Sequence, residues 1–286
     1  MMKPVRSWPL ALLLSVALVS CKEKPVAQVS PDSAPAPAPA PTHTLTVFAA
    51  ISLTEAFGDI GKQFEAQHPD VSVKFNFAGS QQLRAQMGLG ASDDVFASAD
   101  QKEMTAAAAA SLVDSDTVRV FAQNRLIVVF PKANPAKITA LADLGRSGVK
   151  IDIGDPPVPV GKYTRDMLDL MSADPAFGSD FKDQFLANVV SHEHDDLAVL
   201  AKVRLADADA GVVYVTDVTP EAAKEVSTLA IPDPLNPVAD YPIAVTASAP
   251  QTDLAKQFVA FVLSPDGQKI LKQQGFLPAP HLGSSL

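Results

Sequence analysis

From residue 45 onward the chain alternates short apolar runs with segments of helical spacing, and this alternation constrains the fold more than any other feature. "LTVFAA" at 45–50 is a strand-length apolar run. Leu53, Ala56, Phe57, Ile60 and Phe64 then recur at the spacing of one helix face. Val71, Val73, Phe75 and Phe77 alternate with other residues, as a strand does, and a helix is expected to open at Ser80 with Leu83 and Met87 inward. The pattern continues with strands at 94–98, 126–130, 149–153, 210–215 and 241–246. The helices expected between and after them cover 99–113, 141–144, 163–171, 181–187, 197–205, 254–263 and 265–274. Strands that alternate with helices predict an α/β fold with mainly parallel sheets. Two such series, 45–110 and 126–215, predict two lobes. In folds of this kind ligands sit beyond the carboxyl ends of the strands, where the helices begin.

Ahead of this region lies a different kind of chain. "MMKPVRSWPLALLLSVALVSC" carries Lys3 and Arg6, then an apolar run at 10–19 and a small residue before Cys21. That is the pattern of an export signal, too short for a comfortable membrane span. Leu18-Val19-Ser20-Cys21 resembles the lipobox of bacterial lipoproteins, in which the signal (here residues 1–20) is cut before the cysteine and the cysteine carries lipid. Cys21 is the only cysteine in the chain, so it has no intramolecular disulfide partner. The alternative is a spare thiol. Lys22 follows it, with no aspartate to suggest inner-membrane retention, so the resemblance implies a periplasmic protein anchored to the outer membrane. Residues 21–44 include an Ala-Pro repeat that tends to polyproline II and reads as a semi-stiff tether.

The net charge of −9 and the absence of a basic stretch argue against a nucleic-acid partner. They also require any anion site to be built from local dipoles. No GxSxG elbow, P-loop or GxGxxG is present. His192 and His194 flank Glu193 but lack the i, i+4 spacing of a metalloprotease helix, and a solvated loop is expected there.

The candidate chemistry lies at the strand-to-helix junctions. Ser52-Leu53-Thr54-Glu55 fits a capping box at the start of the first helix. Ser80 follows "FNFAG"; Gly161 follows a strand and a proline-rich turn in "IDIGDPPVPVG"; Asp195 is the expected N-cap in "SHEHDDLAVL". In "DVFASAD" a buried strand with a cap at Ser98 or Asp100 is expected. Helix N-termini present unpaired N–H groups and partial positive charge, so several aimed at one cleft would form an anion site without a charged side chain.

"VFAAISLTEAF", "FAGSQQLRAQM", "DDVFASADQKEM", "IGDPPVPVGKY" and "AGVVYVTD" together resemble the periplasmic molybdate-binding proteins of ABC importers, in order from about 45 to 276. The resemblance implies the two-lobed periplasmic binding fold of type II, with a hinge: lobe 1 from 45–122 and 240–286, lobe 2 from 123–239. It implies a binding protein and not an enzyme, with molybdate or tungstate as ligand and no cofactor, working as a monomer with an ABC transporter permease. Its donors fall on the hydroxyls of Ser52, Ser80 and Tyr214 and the backbone N–H groups of Val160 and Asp196. The segment Asp195-Asp196-Leu197 departs from the family pattern, which has a valine and an arginine here, and a carboxylate turned inward would repel a dianion. Other readings are the same fold with another small oxyanion or ligand, and a secreted hydrolase with Ser52 as nucleophile.

Overall fold

A computed structural model describes residues 41–280. The expected signal peptide, Cys21 and nearly all of the tether lie outside the described residues. In chain order the elements are β1 (His43–Ala50), α1 (Thr54–Gln67), β2 (Val71–Ala78), α2 (Ser80–Gly88), β3 (Val95–Ala97), α3 (Gln101–Ala109), β4 (Arg119–Asn124) and β5 (Leu126–Pro131). There follow β6 (Ile151–Gly154), α4 (Pro159–Ala173), α5 (Phe181–Ala187), β7 (Val189–Glu193), α6 (Asp196–Arg204), β8 (Ala210–Tyr214) and β9 (Val226–Ala230). β10 (Ala239–Val245), α7 (Thr252–Leu263), α8 (Pro265–Gln273) and β11 (Leu277–Pro278) complete the described chain. β1 thus begins at His43, two residues inside the segment read as tether.

The strands form two sheets, one ordered β11-β4-β10-β3-β1-β2 and the other β7-β6-β8-β5-β9. The α/β, two-lobed expectation stands, but the sheets are mixed and not mainly parallel. Among the described residues four strand pairings are parallel and five antiparallel. The cause is topological. Every antiparallel pairing involves β4, β5, β9, β10 or β11, the strands on which the chain passes between the sheets, returns and ends.

β1 and β8 read as continuous apolar runs because both are buried on both faces. β4, β7, β9 and the two-residue β11 were not foreseen. β7 and β9 are edge strands, half exposed and poor in large apolar residues, so their sequences carry little strand signal. The loop expected at His192–His194 is therefore corrected in part: His192 and Glu193 close β7, and only His194 lies beyond it.

Each sheet has its own packing. In the first, Phe57 and Phe64 of α1 meet Phe258 of α7, with the Phe64 and Phe258 rings edge-to-face at 5.3 Å. In the second, α6 lays Val199 and Val203 over Gly211 of β8; a Cβ there would stand 2.8 Å from Val199. The passages between sheets are pinned by two asparagines. Asn124 Nδ2 donates to Thr216 Oγ1 at 2.8 Å. Asn236 brackets Leu126, accepting its N–H at 3.0 Å and donating to its carbonyl at 2.8 Å. No helix among the described residues is long and apolar enough to cross a membrane.

Candidate functional site

After β1 the chain makes a short 3-10 turn over Ile51–Leu53 before α1 begins. Ser52 is buried in that turn, and its hydroxyl does not cap the helix. The capping-box expectation is corrected: Ser52 Oγ instead lies 3.0 Å from the Tyr241 hydroxyl. The extra turn shifts the start of α1 by one residue, from Leu53 to Thr54, and leaves the Ser52 hydroxyl against Tyr241 of β10.

β2 leads through Gly79 into α2, whose first residue is Ser80. Gly79 is required here by close approach, since a Cβ would stand 2.7 Å from the His194 carbonyl oxygen. Gln81 Nε2 donates to the same oxygen at 2.9 Å. The start of α2, which follows the first sheet, thus touches the β7–α6 link of the second. Ser80 Oγ accepts the Ala99 N–H at 2.9 Å, which leaves its own proton free to donate.

The end of β6 and the first turn of α4 press together. Pro159 is the first helical residue, a position that suits its fixed φ and missing N–H, and Val160 is the second. Val160 N–H therefore belongs to the unpaired first turn. Gly161 lies inside this turn and not before the helix as expected.

Asp195 caps α6 as expected, its Oδ1 accepting the Ala198 N–H at 2.7 Å. Asp195→Ala is expected to lower stability by about 1 kcal/mol, measured as a shift in the urea midpoint at unchanged slope. Asp196 is the first residue of α6, with its carboxyl buried. Its Oδ2, like Oδ1 of the buried Asp217, has no hydrogen-bond partner among the described residues. Tyr214 closes β8; its N–H donates to Asp217 Oδ2 at 2.7 Å. Its hydroxyl is fully buried and has no hydrogen-bond partner among the described residues.

The structure brings several of these groups together. Tyr241 touches Ser52, packs edge-to-face against Tyr214 with ring centroids 5.8 Å apart, and lies in the field of Asp196. α6 rests against the turn that holds Ser52. Ser80 joins from the far side through Ala99, next to Asp100, whose charge reaches Tyr214 and Tyr163. Val160 stands apart in side-chain terms, packed against Gly154 at the foot of α4; its contribution would be its N–H alone.

Electrostatics follow burial. Burial, and then the Asp196 charge, push the Asp217 carboxyl far above the usual carboxylate range, while burial pushes Asp196 up to about 7. Burial also raises the phenols of Tyr214 and Tyr241, so both remain protonated donors. No lysine or arginine hydrogen-bonds to Ser52, Ser80, Tyr214, Tyr241, Asp196 or Asp217 among the described residues. The arrangement offers hydroxyl and backbone N–H donors with no fixed positive charge, chemistry suited to an oxyanion and not to a metal cation. Among the described residues no group of three or more His, Cys, Asp or Glu side chains could hold a metal ion.

Tyr241 and Asp217 were missed in the sequence. Tyr241 read as an ordinary core residue of β10, and nothing in its spacing pointed elsewhere. Asp217 stands three residues after Tyr214, and that spacing was a usable signal for a carboxylate returning to the tyrosine N–H. Asp100 caps α3, accepting the Glu103 N–H at 2.8 Å, in keeping with the cap expected in "DVFASAD".

Comparison with known proteins places this geometry in context. A family model described as bacterial extracellular solute-binding protein matches residues 45–277. The chain is 39% identical over 264 residues to the molybdate-binding protein ModA of Mycobacterium tuberculosis (strain ATCC 25618 / H37Rv), covering 92% of this chain and 94% of the relative. It is 32% identical to the molybdate-binding protein ModA of Escherichia coli (strain K12), covering 81% and 88%. Among solved structures, the periplasmic molybdate-binding protein of Azotobacter vinelandii aligns with a TM-score of 0.70 at 21% identity, covering 82% of this chain and 99% of that one, which speaks to the fold.

Proposed function

The chain belongs to the bacterial extracellular solute-binding protein family, and from that premise we propose that it captures molybdate, or the similar tungstate, and delivers it to an ABC importer. The observation that carries this reading is the match over nearly the whole chain to a relative named for molybdate binding. The donor set supports it: the Ser52, Ser80 and Tyr214 hydroxyls and the Val160 and Asp196 N–H groups hold the anion, with Tyr241 orienting Ser52. Lobe 1 comprises 45–122 and 240–286, lobe 2 comprises 123–239, and binding closes them by a hinge at the two asparagine-pinned passages. Selectivity over sulfate comes from cavity size, since both anions carry two charges and four acceptors. The protein acts as a monomer with a transporter permease, held to the outer membrane by lipid on Cys21 and spaced from it by the Ala-Pro tether.

The hydrolase alternative loses its support at Ser52. The hydroxyl pairs with a tyrosine phenol, and among the described residues no histidine hydrogen-bonds to it as an activating base would. A solute-binding protein needs no such base.

Calorimetric titration with molybdate, tungstate, sulfate and phosphate tests the proposal. The expected result is tight binding of the first two anions and weak or absent heat from the others. Sulfate binding without molybdate binding overturns it.

A further inference from the structure

The start of α2 follows the first sheet and the β7–α6 link belongs to the second, yet the two meet in close backbone approach. Gly79, the residue before α2, has φ −58° and ψ 138°, a conformation open to any residue. The backbone therefore does not demand a glycine here. What demands it lies opposite: a Cβ would stand 2.7 Å from the His194 carbonyl oxygen. Gln81 reaches over the same spot, its Nε2 donating to that oxygen at 2.9 Å. Its amide nitrogen and oxygen stand 2.6 Å and 2.8 Å from the site of the missing Cβ. The partner is a carbonyl, so only the nitrogen end of the amide can bond it. The oxygen end is buried and has no partner among the described residues. We propose that Gly79 and Gln81 form a latch across the cleft: Gly79 is the stop on which the lobes close, Gln81 is the bond that holds them, and together they set how long a captured anion stays. The inference rests on the anion-binding reading of the site and adds two residues outside the proposed donor set.

The latch sits where closure counts. Gln81 directly follows Ser80, and His194 comes two residues before Asp196. Each side of the contact is thus tied through a few backbone bonds to one proposed donor, the Ser80 hydroxyl on one side of the cleft and the Asp196 N–H on the other. Neither Gly79 nor His194 lies on the passages between the sheets that Asn124 and Asn236 pin. The contact is therefore made through space and is lost when the lobes part, since a hydrogen bond of this length does not survive about 1 Å of further separation. A dianion that draws Ser80 and the Asp196 N–H together brings Gly79 against the His194 oxygen in the same movement. Closure stops there on backbone atoms, which no rotamer change can relieve. The gap between the two donors, and with it the size of the cavity, is fixed by that stop. The His194 side chain takes no part: its Nε2 turns to Asp195 Oδ2 at 3.2 Å, and only its carbonyl faces Gln81.

The test is release of radiolabelled molybdate from the full chain into an excess of unlabelled molybdate, with Kd from calorimetry and the association rate from the two together. Gln81→Met keeps the length and volume of the side chain and removes the donor. It is expected to release the anion roughly 3- to 10-fold faster at an unchanged association rate, so that Kd weakens by the same factor. Gly79→Ala meets the His194 oxygen only in the closed form. It is expected to weaken binding roughly 10- to 100-fold while the melting temperature of the anion-free variant stays that of the wild type. The double variant is expected to lose little beyond Gly79→Ala, because both changes break one contact. Melting curves without anion establish that each variant is folded, and if one is not, the other decides. Release as slow as the wild type's in both variants overturns the latch and leaves the function standing. A large fall in the anion-free melting temperature also overturns it, by assigning the two residues to packing within one lobe. Slower association at unchanged release overturns it too, by placing Gln81 on the path of entry. Failure of the wild type to retain molybdate overturns the anion reading and the latch with it.

Discussion

Tyr214→Phe is expected to weaken molybdate binding by roughly 10- to 100-fold while leaving the ligand-free protein as stable as before, or more so. Two facts drive these opposite effects. The Tyr214 hydroxyl is buried at the end of β8 and has no partner among the described residues of the ligand-free protein. An unpaired buried hydroxyl is destabilising by about 1–3 kcal/mol, so its removal does not lower the melting temperature. Toward a bound dianion the same hydroxyl makes a charge-assisted hydrogen bond, with a contribution of about 1.5–3 kcal/mol. Calorimetric titration and thermal melting of the same preparation read the two effects. A variant that binds as well as the wild type removes Tyr214 from the site, and a large fall in melting temperature assigns it to packing.

Gly161→Ala is expected to be the most damaging single methyl in the second sheet's layer, lowering stability by about 3 kcal/mol and weakening anion binding with it. A Cβ at this position would overlap the carbonyl oxygens of Asp155 and Gly154 and stand 2.6 Å from the Gly154 carbonyl carbon. These are backbone atoms, so no rotamer change relieves the overlap. Gly154 is tight in return, with the site of its missing Cβ 2.7 Å from Val160 Cγ1 and 2.8 Å from the Gly161 N. The first turn of α4 must therefore move away from β6, and the Val160 N–H moves with it. Urea unfolding reads the first effect and molybdate titration of the folded fraction the second. Gly148→Ala is a useful contrast. That glycine has open space around it but a φ of 90°, so its penalty is conformational and the anion site is untouched.

The alternation of apolar runs and helical spacings was enough to read the α/β layers and the order of most elements. α2 opens at Ser80 and α5 covers Phe181–Ala187, as the spacing predicted. These signals are local: a helix or buried strand writes its own period. Strand direction within a sheet is different. Whether β10 runs with or against β3 depends on where the chain went in between, and no window of residues records that. Edge strands such as β7 and β9 escaped notice because half of each faces solvent, which dilutes the apolar pattern.

The same division runs through the candidate site. Ser52, Ser80 and Asp196 were readable as positions because each lies at or next to a helix start, and helix starts carry unpaired N–H groups whatever surrounds them. What each side chain does there was decided by packing. Ser52 looked like a cap, yet a 3-10 turn of three residues turns its hydroxyl to Tyr241, which lies 189 residues further along the chain. Asp196 looked like a carboxylate that would repel an anion. Burial of that carboxyl raises its pKa to about 7, and the buried Asp217 in the turn after β8 is raised further. Local sequence thus determined which atoms stand at the strand-to-helix junctions. Only the tertiary structure decided which of them meet and in what charge state, because partner choice and desolvation depend on residues that are distant in the chain.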